Sequence, residues 1–74
     1  MSRMIQIKLK EGEPFIKLGQ ALKAADLVGS GAEAKEVIQG GEVLVNGETD
    51  LRRGRKLYKD DTVSFNGEDI KITE

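Results

Sequence analysis

The stretch Gly29-Ser30-Gly31-Ala32-Glu33-Ala34-Lys35-Glu36-Val37-Ile38-Gln39-Gly40-Gly41-Glu42-Val43-Leu44-Val45-Asn46-Gly47 changes period midway, and that change decides the fold class. Ser30 with Glu33 three residues later is a capping-box pattern, in which a hydroxyl and a carboxylate satisfy the first free amides of a helix. Ala34, Val37 and Ile38 then recur at helical spacing, which predicts one inner face on a helix running to about Gln39. Gly40-Gly41 ends it, because glycine enters left-handed backbone angles without a Cβ penalty. Val43 and Val45 next alternate with Glu42 and Leu44, and Asn46-Gly47 is a strong hairpin signal. A glycine-stopped helix followed at once by a hairpin points to an α+β fold.

On the N-terminal side, Leu18, Ala21, Leu22 and Ala25 recur at helical spacing, predicting a first short helix after Pro14 that is broken at Gly29-Ser30-Gly31. Ahead of Pro14, Ile5, Ile7 and Leu9 alternate with Gln6, Lys8 and Lys10, which predicts a half-buried strand over residues 4–10. On the C-terminal side, residues 62–65 alternate, Asn66-Gly67 repeats the hairpin signal, and Ile70 and Ile72 continue the pattern in a strand over residues 69–73. The expected architecture is two short helices packed on a small, mainly antiparallel sheet, with the N-terminal strand joining the C-terminal one. The 74 residues are expected to form a single domain, 1–74, since two cores could not offset their own ordering entropy.

Composition removes most catalytic chemistry. The chain contains no cysteine and no histidine, which excludes disulfides, thiolate nucleophiles, Cys/His zinc sites and imidazole acid–base work. Asp60-Asp61 and Glu68-Asp69 are adjacent pairs in or near turns, where side chains diverge and water keeps both ionised. No enzyme, no cofactor and no metal site is expected. No run approaches the ~20 apolar residues of a membrane span, and no signal-peptide pattern opens the chain, so cytoplasmic residence and no membrane association are expected.

The net charge of −1 is uninformative, but its distribution is not. Residues 51–59 hold Arg52, Arg53, Arg55, Lys56 and Lys59 with no acid among them, whereas Glu33, Glu36, Asp60, Asp61, Glu68, Asp69 and Glu74 lie elsewhere. Several cations on one face suit the phosphates of a nucleic acid, through counterion release. The bland reading is a solvated loop. The aromatics Phe15, Tyr58 and Phe65 are too few for a base-stacking platform, and Phe15 and Phe65 are expected in the core.

Residues 17–65 resemble the alpha-L RNA-binding domain, the module of small-subunit ribosomal protein S-four. The resemblance rests on Lys17-Leu18 and Leu22 in the first helix and on Ser30, Ala34, Lys35 and Ile38 in the second. It continues through Gly41, Val43, Val45, Asn46-Gly47 and Lys59-Asp60-Asp61-Thr62-Val63. Strands flanking this core are similar to the stand-alone bacterial YaaA/YbcJ-like members. There are three departures: Gly31 stands where the family has arginine, Gly19 where it has aspartate, and Asp60 where it has the glycine of the last turn, with Asp61 keeping the acidic position.

The resemblance implies a partner, structured RNA and most of all ribosomal RNA or ribosomal particles. It promotes Lys17 and Lys35 from ordinary helix-surface lysines to phosphate contacts beside Arg52, Arg53, Arg55, Lys56 and Lys59. Ser30 and Asn46 join the candidates, although capping accounts for Ser30 and a type I′ turn for Asn46. The competing reading is a protein-interaction module whose cations meet an acidic partner.

Overall fold

The computed structural model describes residues 3–74. The chain runs β1 (Arg3–Lys8), β2 (Ile16–Lys17), α1 (Leu18–Ala24), α2 (Gly31–Gln39), β3 (Val43–Val45), β4 (Glu48–Thr49), β5 (Lys56–Leu57), β6 (Thr62–Phe65) and β7 (Glu68–Thr73). Five strands form one sheet in the order β1-β7-β6-β3-β4, and β2 pairs with β5 in a separate two-stranded ribbon. The expected two-helix, mainly antiparallel α+β architecture is present. Among the described strands only β1 and β7 run parallel.

Strand register explains the core. Ile5 faces Ile70, Ile70 faces Val63, and Val63 faces Val45, so one apolar row crosses four strands. Ile70 and Val63 are completely buried there, as are Leu18 and Leu22 of α1, Ile38 of α2, and Leu57 of β5. At roughly 1.5–3 kcal/mol for each large apolar side chain buried, this row and the helix faces supply the main driving force for folding.

The turns are made by local chemistry. Asn46 (φ 51°) with Gly47 (φ 84°), and Asn66 (φ 52°) with Gly67 (φ 80°), are both doubly left-handed, the geometry of type I′ hairpins. At the end of α2, Glu42 N–H donates to Val37 O and Gly41 N–H to Ile38 O, both at 3.1 Å, a Schellman closure with Gly41 at φ 78°. The end of α1 differs from the sequence expectation. The helix stops at Ala24, before the glycines at 29 and 31, because Asp26 takes φ 60° and the amides of Asp26 and Leu27 close the same motif onto Lys23 O and Leu22 O. The strand expected over residues 4–10 is assigned to Arg3–Lys8, although Leu9 N–H still reaches Thr73 O at 2.7 Å. Phe15 is half-buried and lies outside the core cluster that Phe65 packs against.

Candidate nucleic-acid interface

The ribbon β2–β5 sets the register of the cations. Ile16 faces Leu57 on its inner side, so the alternation of a strand places Lys17 opposite Lys56 on the outer side. Like charges directly opposed across a strand pair are destabilising. Lys17 is also the residue preceding α1, where a positive charge opposes the helix dipole, and the first turn of α1 holds no acid to offset it. The same outer face carries Phe15 and Tyr58, whose rings stand 6.0 Å apart and tilted by 57°, with Lys56 Nζ 4.9 Å from the Phe15 centroid. That cation–π contact fixes the lysine, and sequence reading had no route to it.

The loop between β4 and β5 is held rigid from two sides. Leu18 N–H donates to Arg55 O at 2.8 Å and Gly19 N–H to Arg53 O at 3.1 Å, so loop carbonyls satisfy the otherwise free first amides of α1. From the other side Asp50, only 7 % exposed, accepts from the backbone amide of Arg52 at 2.9 Å, from Arg52 Nε and Nη2, and from Arg55 Nη1 at 2.7 Å. The bond from the Arg52 side chain does most to hold the Asp50 carboxyl well below the ordinary carboxylate range. The Arg52 amide and the Arg55 guanidinium add to that, against the opposing effect of burial. Asp50 was not a sequence candidate. Its signal was the Asp-to-amide spacing of an Asx turn immediately before the basic run.

The candidate residues therefore divide. Arg52, Arg55 and Lys56 line one depression with Gly54, and Gly54 also borders a cleft lined by Lys17 and Arg53, so these five cations border two depressions that meet at Gly54. Lys35 is exposed on α2 and lines neither. Lys59 borders a different depression with Lys8, Lys10 and Tyr58 and pairs with Glu74 at 3.0 Å, which raises its pKa. Ser30 Oγ accepts from Glu33 N–H at 3.1 Å as the cap of α2, while the Glu33 carboxylate turns back to the amide of Gly29. The Asn46 amide is engaged inside the fold: Nδ2 donates to Asp61 at 3.1 Å, and Oδ1 accepts from the Thr62 amide at 2.9 Å and from its hydroxyl at 3.2 Å. Among the described residues no cluster of acids could hold a metal ion, and no helix is long and apolar enough to cross a membrane.

Comparison with known proteins matches this geometry to a family. The chain is 56 % identical over 53 residues to the probable ribosome maturation protein RlbA of Bacillus subtilis (strain 168), covering 72 % of this chain and 75 % of that one. It is 36 % identical over 59 residues to YbcJ of Escherichia coli (strain K12), covering 80 % of this chain and 84 % of YbcJ. The solution structure of E. coli YbcJ, described as revealing an alphaL motif involved in RNA binding, superposes with a TM-score of 0.73 at 34 % identity over 100 % of this chain and 92 % of that one. Residues 7–73, from late β1 to the end of β7, match the S4 domain, and the chain belongs to that family.

Proposed function

We propose that the chain, with residues 1–74 acting as one unit, binds structured RNA in the cytoplasm, with ribosomal RNA as the substrate class. The surface formed by Lys17, Arg52, Arg53, Arg55 and Lys56 recognises phosphates and helical shape rather than base edges. The observation that carries this reading is the opposition of Lys17 and Lys56 on a rigid ribbon. Two like charges held in register cost stability in the free protein, and an anion lying across them removes that cost. The RNA-binding description of YbcJ and the ribosome-maturation name of RlbA support the same reading. In it the domain is a binding module, with no catalytic step and no cofactor.

Titration of a structured ribosomal RNA fragment at several salt concentrations tests it. Engagement of about four phosphates gives a log–log slope of affinity against salt of roughly −3 to −4. A slope near zero, with equal affinity for an acidic peptide of matched charge, would turn the surface over to a protein partner.

A further inference from the structure

Gly19 and Gly31, the two glycines at which the chain departs from its family, both line one cleft between α1, α2 and the basic loop. The cleft has a volume of about 310 Å³; Lys17 and Lys23 of the α1 side and Arg53 of the loop border it, Ala34 contributes from α2, and no carboxylate lines it. None of these three cations has an ion-pair partner among the described residues, in contrast to Arg52 and Arg55, which Asp50 partly neutralises.

The two glycines do different work. Gly19 sits inside α1 with an ordinary helical backbone, where glycine is about 1 kcal/mol worse than alanine, so conformational freedom does not account for it. Close approach does. A Cβ at Gly19 would lie 2.9 Å from Arg53 Cγ and 3.6 Å from both Arg53 Cδ and the Arg53 carbonyl oxygen. The clash falls on Cγ, in the stem of the arginine, while Cδ and the carbonyl oxygen are in ordinary contact; with the Arg53 backbone held by the Gly19 amide, the side chain has to be re-aimed from its base and cannot swing clear at its tip alone. At Gly31 a Cβ would meet nothing within 4 Å, so on that side the glycine leaves the cleft open.

We propose that this cleft is a phosphate-binding subsite for the RNA backbone, formed by Lys17, Lys23 and Arg53, and that Gly19 is the positioning residue that lets Arg53 lie along its wall. The inference rests on the RNA-binding reading and adds to it Lys23, which sequence pattern had not singled out, and a steric reason for the missing side chain in α1. It also makes one substitution act on binding through the placement of Arg53, with no charge removed.

The experiment measures melting temperature and RNA affinity, with its salt slope, on the full chain and on Gly19→Ala, Arg53→Gln and the two together. Gly19→Ala is expected to lower affinity on the order of tenfold and to bring the slope about one unit closer to zero, the signature of one lost phosphate contact. Melting is expected to stay within a few degrees of the parent, because the helix propensity gained by alanine is offset by the cost of displacing the Arg53 stem. Arg53→Gln alone should reproduce the affinity and slope changes, and the combined variant should fall no further. If Gly19→Ala melts early, Arg53→Gln still decides: an unchanged slope in that variant overturns the subsite. Lys56→Gln, outside the cleft, separates the two levels. Affinity lost in Lys56→Gln but kept in Gly19→Ala and Arg53→Gln removes the subsite and leaves RNA binding standing, whereas a parent chain that binds structured RNA without salt dependence removes both.

Discussion

The β6–β7 hairpin and the β2–β5 ribbon are both antiparallel pairs, yet their cross-strand partners are of opposite kinds. In the hairpin, Val63 faces Ile70 in the core, Ser64 faces Asp69 with the hydroxyl donating to the carboxylate at 2.7 Å, and Thr62 faces Lys71. An Asn-Gly turn with both residues left-handed joins the strands. Every local preference there agrees with the fold. In the ribbon, Lys17 faces Lys56, a lysine precedes a helix where a capping side chain would serve better, and a buried aspartate anchors the adjoining loop. Local rules broken together in one place are the pattern a working surface leaves, and the RNA surface proposed above lies there, whereas the hairpins follow local preference throughout.

The largest effect expected from this contrast is on binding. Replacing Lys17, Arg53 and Lys56 together by glutamine removes cations that have no ion-pair partner among the described residues. Affinity for structured RNA should fall on the order of a hundredfold or more, with the salt slope reduced by about three units and melting unchanged or raised. Parent-like binding by this variant would return the basic segment to a solvated loop. The triple change of Arg52, Arg53 and Arg55 to glutamine is the obvious choice from sequence, where all three look like exposed loop cations whose loss spares the fold. The structure alters that expectation, since two of them satisfy Asp50.

Stripping Asp50 of its partners should cost folding free energy as well as affinity. Arg55→Ala is expected to destabilise by about 2 kcal/mol, below the ~3–5 kcal/mol of a fully buried pair because Arg55 remains 30 % exposed and Arg52 stays bonded. The same network gives a pH dependence. The Asp50 carboxyl is held below its ordinary value of 3.8 in the folded chain, so at acid pH the unfolded chain binds the proton first. The stabilisation is complete above the unfolded value and is lost as pH falls from there towards the lower folded one. Chemical denaturation from pH 7 to pH 2 should show a steeper acid loss in the parent than in Asp50→Asn.

The hairpin side of the comparison breaks differently. Gly47→Val puts a β-branched residue at φ 84°, where the added atoms strain the backbone whatever the free space around them. We expect a loss of about 2 kcal/mol, or roughly 10 °C in Tm for a chain of this size, with binding of the remaining folded fraction unchanged.

These regions also differ in how far they could be read from sequence. Asn46-Gly47, Asn66-Gly67, the Ser30 cap and the alternation of Ile5, Ile7, Ile70 and Ile72 are short-range signals, and each appears in the fold where its chemistry requires. The parallel sense of β1 and β7 was not legible, because alternation reports which face is buried and says nothing of direction. Two-residue strands such as β2 and β5 are too short to have a period. The pairing of Lys17 with Lys56, and with it the character of the site, therefore had to come from tertiary structure. Asp50 escaped for a related reason: its Asx-turn spacing before the basic run is a weak local signal, and the burial that commits it to Arg52 and Arg55 is a tertiary property.

A smaller effect tests the ribbon from the stability side. Lys17→Ser replaces a lysine that precedes α1 with a side chain able to accept from the amide of Gln20, and it removes the opposition to Lys56. Stability should rise by about 1 kcal/mol while RNA affinity drops several-fold. A variant that loses both would show that Lys17 contributes packing the contrast does not credit.

The smallest effect concerns the turn at residues 59–61, where Asp60 stands at φ 75° in place of the family's glycine. The left-handed conformation costs an L-residue roughly 1–2 kcal/mol, less for aspartate, and glycine avoids it but loses about 0.4–1 kcal/mol through its freer unfolded chain. The turn is independently fixed: the Asp60 amide donates to Ile72 O at 2.8 Å, and the Asp61 carboxylate accepts from the Tyr58 amide at 2.7 Å. Asp60→Gly therefore keeps its neighbours' bonds and should gain about 0.5 kcal/mol, a rise of roughly 2–4 °C in Tm. Asp60→Ala, which keeps the strain and gives up aspartate's tolerance of it, should fall below the parent. If Asp60→Gly instead melts lower, the Asp60 carboxylate is stabilising the turn beside Lys59, and the departure from the family pattern at this position is a substitution with its own compensation rather than a strained one.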